Sequence, residues 1–366
     1  MWYAVIDILG KRTIRRGTGF FAEGRFCMWY LIIPAAAAAI ILGAAYAVYL
    51  AAFRCGAKYC SGLRDVRDTE QHRPYREAIL ALVDEQASRP YEPVGIISRD
   101  GLRLFGKYYH NADGAPLQIM FHGYRSSADR NFCGGMKLCL ELGCNALLVD
   151  QRAHGQSEGR TLTLGIKERY DCCDWVDYAV KRFGSDVKII LSGISMGAAT
   201  VLMASDLLPD NVVGIIADSG YTSPEAIVKK VLRDNKLPVR SSYLLVRLAA
   251  KIFGRFDTRE SRAVDSLSRS KIPVLLIHGE ADRFVPCSMA LENYNACAGK
   301  KRIFTVPGAG HGLSYFGDTA GYSRVVREFV ADSLRGGAAA DRDPGGRAGA
   351  GRAAASFRRV EISADS

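Results

Sequence analysis

The chain has 366 residues, 48% of them hydrophobic and 24% charged, with a mean hydropathy of −0.01. This mixture can bury a sizeable core and excludes a wholly disordered chain or a collagen-like fibre. The net charge is +11, from 49 Lys and Arg against 38 Asp and Glu. Such an excess suits an anionic surface, membrane or nucleic acid, and carries no information about fold.

Ten cysteines are spread through the chain without a C-x-x-C pair or a Cys/His cluster of zinc spacing,. They read as reduced thiols, several of them packed as small hydrophobes, which leans toward a reducing compartment. No metal and no cofactor is implied.

In chain order, residues 1–27 form a basic segment. Phe26 to Phe53 then runs 28 positions without a charge. As a helix that stretch would span about 42 Å, enough for a hydrocarbon core of about 30 Å. Trp29 and Tyr30 stand at one end and Tyr46 and Tyr49 near the other, where interfacial aromatics belong,. The reading is a single-pass N-terminal anchor over 28–53. A cleaved signal peptide is the rival, but its apolar region is usually about 7–15 residues long. Five basic residues precede the span and four follow it. That near balance leaves open the side of the membrane on which the rest lies.

Residues 54–90 read as a polar tether followed by a short helix, with Ile79, Leu80 and Val83 on one face. Residues 336–366 read as a disordered tail, since Gly336 to Ala355 holds fourteen Gly or Ala in twenty positions,. Between them, residues 91–335 alternate strand-like and helix-like stretches. Asp100-Gly101 marks a hairpin turn between Val94–Ser98 and Leu102–Tyr109,. Short apolar runs follow at Leu117–Phe121, Ala146–Asp150, Val187–Leu191, Val213–Ala217, Val274–Ile277 and Arg302–Val306, mostly separated by amphipathic helical stretches. The pattern predicts an α/β domain, a mostly parallel sheet with helices on both faces, whose ligands bind at the carboxyl ends of the strands.

The chemistry-bearing residues stand at those ends. Gly193-Ile194-Ser195-Met196-Gly197 lies between a strand and a helix, where glycines allow the sharp turn that exposes a nucleophilic serine,. Such a serine needs a base, and the base needs an acid to hold its tautomer. Asp282 follows the strand Val274–Ile277 and His311 follows Arg302–Val306, so both share the sheet edge with Ser195. His122-Gly123-Tyr124, after Leu117–Phe121, supplies an oxyanion loop, and the backbone N–H groups of Tyr124 and Met196 are assigned to it,. Asp218 is the rival acid. His122, His154 and His278 each precede a glycine at a strand end and read as structural hydrogen-bonding residues. Cys172 and Cys173 lack such a turn.

Together these motifs resemble those of the α/β-hydrolase superfamily. Within it they resemble the bacterial membrane-anchored serine hydrolases of the BEM46-like and serine-aminopeptidase-like groups. The resemblance covers about Tyr91 to Arg335 and includes the run Asp150 to Gly159 with Gly165, Glu168 and Asp171. It implies acyl-transfer chemistry through a serine without a cofactor, on carboxylic esters or thioesters. A peptidase or amidase with the same residues, or a hydrolase-like binding protein without turnover, stays open at this point. In such folds a lid commonly forms in the insertion, here about residues 222–265, with ten basic residues against five acidic. Charge concentrated there and at the termini points to a membrane surface rather than to nucleic acid, with a small or lipid-like acyl ester as substrate.

Overall fold

The computed structural model describes residues 20–55, 66 and 69–339. The basic N-terminal segment before residue 20, residues 56–65, 67 and 68 of the expected tether, and the expected tail from residue 340 fall outside the described residues. Residues 336–339, expected to open that tail, instead continue the last helix. The chain starts with α1, Phe20–Ala52, and continues through a 3-10 turn at Arg73–Tyr75 into α2, Arg76–Ala87. The sheet is built from β1 (Glu92–Ile97), β2 (Arg103–Tyr109), β3 (Leu117–Phe121), β4 (Asn145–Val149), β5 (Ile189–Ile194), β6 (Val212–Asp218), β7 (Val274–Gly279) and β8 (Lys301–Val306). The helices α3 (Ala128–Asn131) and α4 (Cys133–Glu141) follow β3. Then come α5 (Glu168–Phe183) after β4 and α6 (Met196–Ala204) after β5. The insertion after β6 forms α7 (Pro224–Asp234), α8 (Val239–Ala249), a π-helical turn at Ala250–Gly254, and α9 (Ala263–Arg269). The chain ends through α10 (Cys287–Ala296), α11 (Ser314–Gly317) and α12 (Thr319–Ala339).

Strand order is β1-β2-β4-β3-β5-β6-β7-β8. The β1–β2 hairpin pairs antiparallel, β2 also runs antiparallel to β4, and every other pair is parallel. Central strands β3 to β7 are buried along their whole length. Continuous apolar runs make this possible, because a parallel sheet covered on both faces has no wet side to alternate toward. One apolar layer lies between the sheet and α5, α6 and α9, and includes Trp175, Met196 and Leu202. The other lies beneath α4 and α12, and includes Met136, Val326 and Phe329. This is the predicted architecture, with strand ends shifted by a few residues.

Tyr30–Ala52 of α1 has a mean hydropathy of 2.3, and its 23 residues extend about 34 Å,. From Tyr30 to Ala44 it stands bare, and only its last turns touch the body. Ala45 and Phe53 are fully buried there, with Tyr49 and Ala52 partly so, which is one helical face,. Tyr46 and Tyr49 pack on Phe253, and Phe53 makes an edge contact with Phe256 at 5.2 Å. The insertion expected to lid the active site therefore packs on the end of α1. Toward the site, Lys230 of the insertion donates to the Arg283 carbonyl and lies over the ring of Phe284 at 5.9 Å. The start of the expected tether is bonded to the body as well. Arg54 bridges Thr161, and Cys55 N–H donates to the Arg160 carbonyl at 3.0 Å.

Candidate active site

The turn from β5 into α6 places Ser195 at φ 58° and ψ −115°, a strained conformation for a residue with a side chain,. The glycines on either side make it possible. A Cβ on Gly193 would lie 2.3 Å from the Gly197 carbonyl, and one on Gly197 would lie 1.8 Å from the Phe121 oxygen. Ser195 N–H donates to the Asp218 carbonyl at 2.8 Å, which ties the turn to the end of β6.

Asp282 and His311 come from the loops after β7 and β8. His311 Nδ1 lies 2.7 Å from Asp282 Oδ2, and His311 Nε2 lies 2.8 Å from Ser195 Oγ. A carboxylate can only accept, so Nδ1 carries the hydrogen and Nε2 is left to accept the serine proton. The three side chains form one hydrogen-bonded path. Asp218, the rival acid, is buried elsewhere in the network. Its Oδ1 accepts from the Ser219 and Ser314 hydroxyls, each at 2.9 Å.

Asp282 is held from every side. Its Oδ1 accepts from the amides of Phe284 at 2.8 Å and Val285 at 2.9 Å. His278 Nε2 donates to the Val285 carbonyl at 2.8 Å and approaches Asp282 Oδ2 at 3.3 Å. Burial by itself would raise the carboxyl pKa, but the hydrogen bonds from His278 and His311 overcome it and hold the group below its ordinary value,. His278, expected from the sequence to be a structural hydrogen-bonding residue, takes that role beside Asp282, four residues on. Beyond this i, i+4 spacing, nothing in the sequence names its partner.

The loop after β3 is fixed by its surroundings. Gly123 N–H donates to Asn131 Oδ1 at 2.8 Å, and Arg125 N–H donates to His154 Nε2 at 3.0 Å. His122 accepts from Gln151 N–H on Nε2 and donates from Nδ1 to the Gly123 carbonyl. Burial lowers the pKa of both His122 and His154, so each is a neutral hydrogen-bonding residue. Tyr124 stands in this loop beside Ser195, and the Met196 amide opens the first turn of α6. Two side chains of the loop, one aromatic and one basic, reach the end of α1. Tyr124 OH donates to the Ala52 carbonyl at 2.9 Å, and Arg125 donates to the carbonyls of Ala51 and Arg54 at 2.8 and 2.9 Å.

Behind the site, Arg152 forms a buried ion pair with Asp171 at 2.6 Å and a second with Asp100 at 2.9 Å. Glu168 accepts from the Thr163 and Gly165 amides and pins the loop before α5. Among the described residues no group of three or more His, Cys, Asp or Glu is placed to hold a metal ion.

The cleft over Ser195 and His311 has a volume of about 90 Å³. Its walls include Gly123, Tyr124, Asn131 and Phe284, and also Val66, His72 and Ile79. The last three, between α1 and β1, form a wall that sequence reasoning missed, because nothing local links them to the strand ends. Phe284 stands edge-on to the His311 ring at 5.0 Å.

A family model described as the alpha/beta hydrolase fold matches residues 116–239. The strand order and the placement of these loops agree with it. The fold is that of the α/β-hydrolases. An uncharacterised Bacillus subtilis protein, YqkD, is 29% identical over 228 residues, covering 61% of this chain and 74% of that protein. Protein bem46 of Schizosaccharomyces pombe is 24% identical over 255 residues, covering 66% and 77%. Among solved structures, the Pyrococcus furiosus esterase Pf2001 superposes with a TM-score of 0.56 at 23% identity, covering 68% of this chain and 93% of its own.

Proposed function

We propose that this chain is a membrane-anchored serine hydrolase that cleaves carboxylic esters or thioesters carrying short acyl groups. The observation that carries this reading is the path Ser195–His311–Asp282 at the floor of a cleft. Ser195 Oγ attacks the acyl carbonyl while its proton passes to His311 Nε2, and the ionised Asp282 balances the imidazolium. The carbonyl oxygen, now negative, sits between the amides of Tyr124 and Met196. Each such donor is worth about 10²–10³ in kcat. The C–O or C–S bond then breaks, His311 returns the proton to the leaving group, and water repeats the cycle on the acyl-serine. A cleft of about 90 Å³ is smaller than the roughly 300–1,000 Å³ of sites that take drug-sized ligands, which supports a short acyl chain,.

The bare apolar length of α1 supports the anchor,. The test is fluorophosphonate labelling together with hydrolysis of p-nitrophenyl butyrate by the full chain. Wild type labels and turns over, while Ser195→Ala does neither. Undiminished labelling of the variant would remove Ser195 from its role. Parallel assays with butyryl anilide separate ester from amide cleavage.

A further inference from the structure

The anchor enters the body without a spacer. Phe26 to Ala44 comprises 19 residues without a charge, about 28 Å of helix, and the next residue, Ala45, is already fully buried against the body,. That length matches a hydrocarbon core of about 30 Å, so the surface flanking Ala45 is brought to headgroup level. The direction of α1 is also fixed. Its terminal carbonyls at Ala51 and Ala52 accept from Arg125 and Tyr124, and Tyr49 OH lies 2.7 Å from Thr161 Oγ1.

The element beside that entry point is α8 with its π-helical turn. It holds α1 through Phe253 and leaves a second face uncovered. Leu244 is 57% exposed and Ile252 46%, and Leu237, just before α8, is 48% exposed. Leu244 and Ile252 stand two helical turns apart on one face, and Leu248 between them is partly buried against the core,. Arg240, Lys251 and Arg255 are exposed along the same stretch. Among the described residues neither Arg240 nor Arg255 has a carboxylate at ion-pair distance, whereas Lys251 shares Asp257 with Arg247. Leucine and isoleucine interspersed with unpaired arginine suit the boundary between acyl chains and acidic headgroups. Tyr46 and Leu50 of α1 are exposed as well, and Tyr46 packs on Phe253, the residue after Ile252.

We infer that this outer face of α8 and the π-helical turn lies on an anionic lipid bilayer beside α1. The inference rests on α1 being a membrane anchor, and it goes further in assigning the insertion to the membrane surface. The experiment uses the full chain in vesicles of phosphatidylcholine with 30% phosphatidylglycerol, with or without lipids brominated high on the acyl chain. Three single variants, Leu244→Trp, Ile252→Trp and Leu291→Trp, are compared with the parent for bromolipid quenching. Leu291 is 45% exposed on α10 and serves as the control. Quenching of the native Trp29, read as the difference between the parent and Trp29→Phe, reports insertion of the anchor.

The expected result is that Trp29 and the added tryptophans at 244 and 252 lose at least half their emission, while the one at 291 loses none. Exchanging Arg240 and Arg255 together for Gln should then reduce quenching at 244 at least twofold. Trp29 quenched with 244 and 252 behaving like 291 overturns the inference and leaves the anchor standing. An unquenched Trp29 overturns both. Protection of 244 from aqueous acrylamide without bromolipid quenching also overturns the inference, and assigns the face to a second copy of the chain or another protein.

Discussion

Asp282→Asn, set against Asp218→Asn, is the most direct test of how the site works. Asp282 Oδ2 lies 2.7 Å from His311 Nδ1, while its Oδ1 is occupied by the amides of Phe284 and Val285. An asparagine at 282 keeps its carbonyl oxygen on those two amides, since nothing else there can satisfy them. Its NH₂ group must then face His311, which can meet it only by turning Nδ1 into an acceptor. The hydrogen moves to Nε2, the atom 2.8 Å from Ser195 Oγ, and the base can no longer take the serine proton,. Losing the correct tautomer costs about 10⁴ in kcat, or about 5.5 kcal/mol at 1.36 kcal/mol per decade. Asp218 accepts from two serine hydroxyls, and an asparagine can still do so. Its exchange should therefore change kcat less than about tenfold, well under the roughly 3 kcal/mol of a lost oxyanion donor. The assay is initial rates with p-nitrophenyl butyrate on detergent-solubilised full chain, with circular dichroism to verify folding. A folded Asp282→Asn within tenfold of wild type, or a 10⁴-fold loss at Asp218, would refute the reasoning.

Three further outcomes follow from the same geometry. Arg152→Met leaves Asp171 buried without its partner and should destabilise by about 3–5 kcal/mol. Adding Asp171→Leu should recover most of that in thermal melts, since a whole buried ion pair is often replaceable by apolar packing,. Burial pushes Asp150 up to about 6, against the Gln156 amide, so its ionisation opposes folding as pH rises from about 4 through 6. Asp150→Asn should accordingly melt like wild type near pH 4 and gain up to about 3 kcal/mol at pH 8. A gain equal at both pH values would show that charge is not the cause. The small, open cleft predicts that lengthening the acyl chain from butyryl to decanoyl raises kcat/KM by less than about tenfold, because methylenes beyond the cleft stay in water and gain little of the roughly 0.8 kcal/mol each would gain on burial,.

The sheet was legible because each central strand is a short apolar run bounded by turn residues, and covered parallel strands require that pattern. The turn at Ser195 was legible for a local reason. Only glycine fits at 193 and 197, where a Cβ would meet backbone at 2.3 and 1.8 Å. Placing Asp282 and His311 on the same edge needed only strand direction. What the sequence concealed is carried by pairs far apart in the chain. His72 and Ile79 wall the cleft from a segment that reads as tether and helix. The place of the insertion in the resembled fold predicts a lid, and the amphipathicity of its helices specifies that a face is buried without saying what buries it. Here Phe253 and Phe256 are covered by Tyr46 and Tyr49 of α1 and by Phe53 just after it, about 200 residues earlier in the chain.

That long-range packing gives the end of α1 a structural role in the body. The last carbonyls of any helix lack intrahelical partners and must be satisfied by something else. Those of α1 are satisfied by Tyr124 and Arg125, whose backbone is the loop proposed to bind the oxyanion. The same loop is held on its other side by Asn131 and His154. Its position is thus fixed jointly by the α/β body and by the end of the apolar helix. A helix pulled away from the body would give up the hydrogen bonds from Tyr124 and Arg125 to the Ala52, Ala51 and Arg54 carbonyls at once, each worth about 1 kcal/mol and more where charged,. The end of α1 is therefore part of the structure that holds this loop, the one proposed to supply an oxyanion donor.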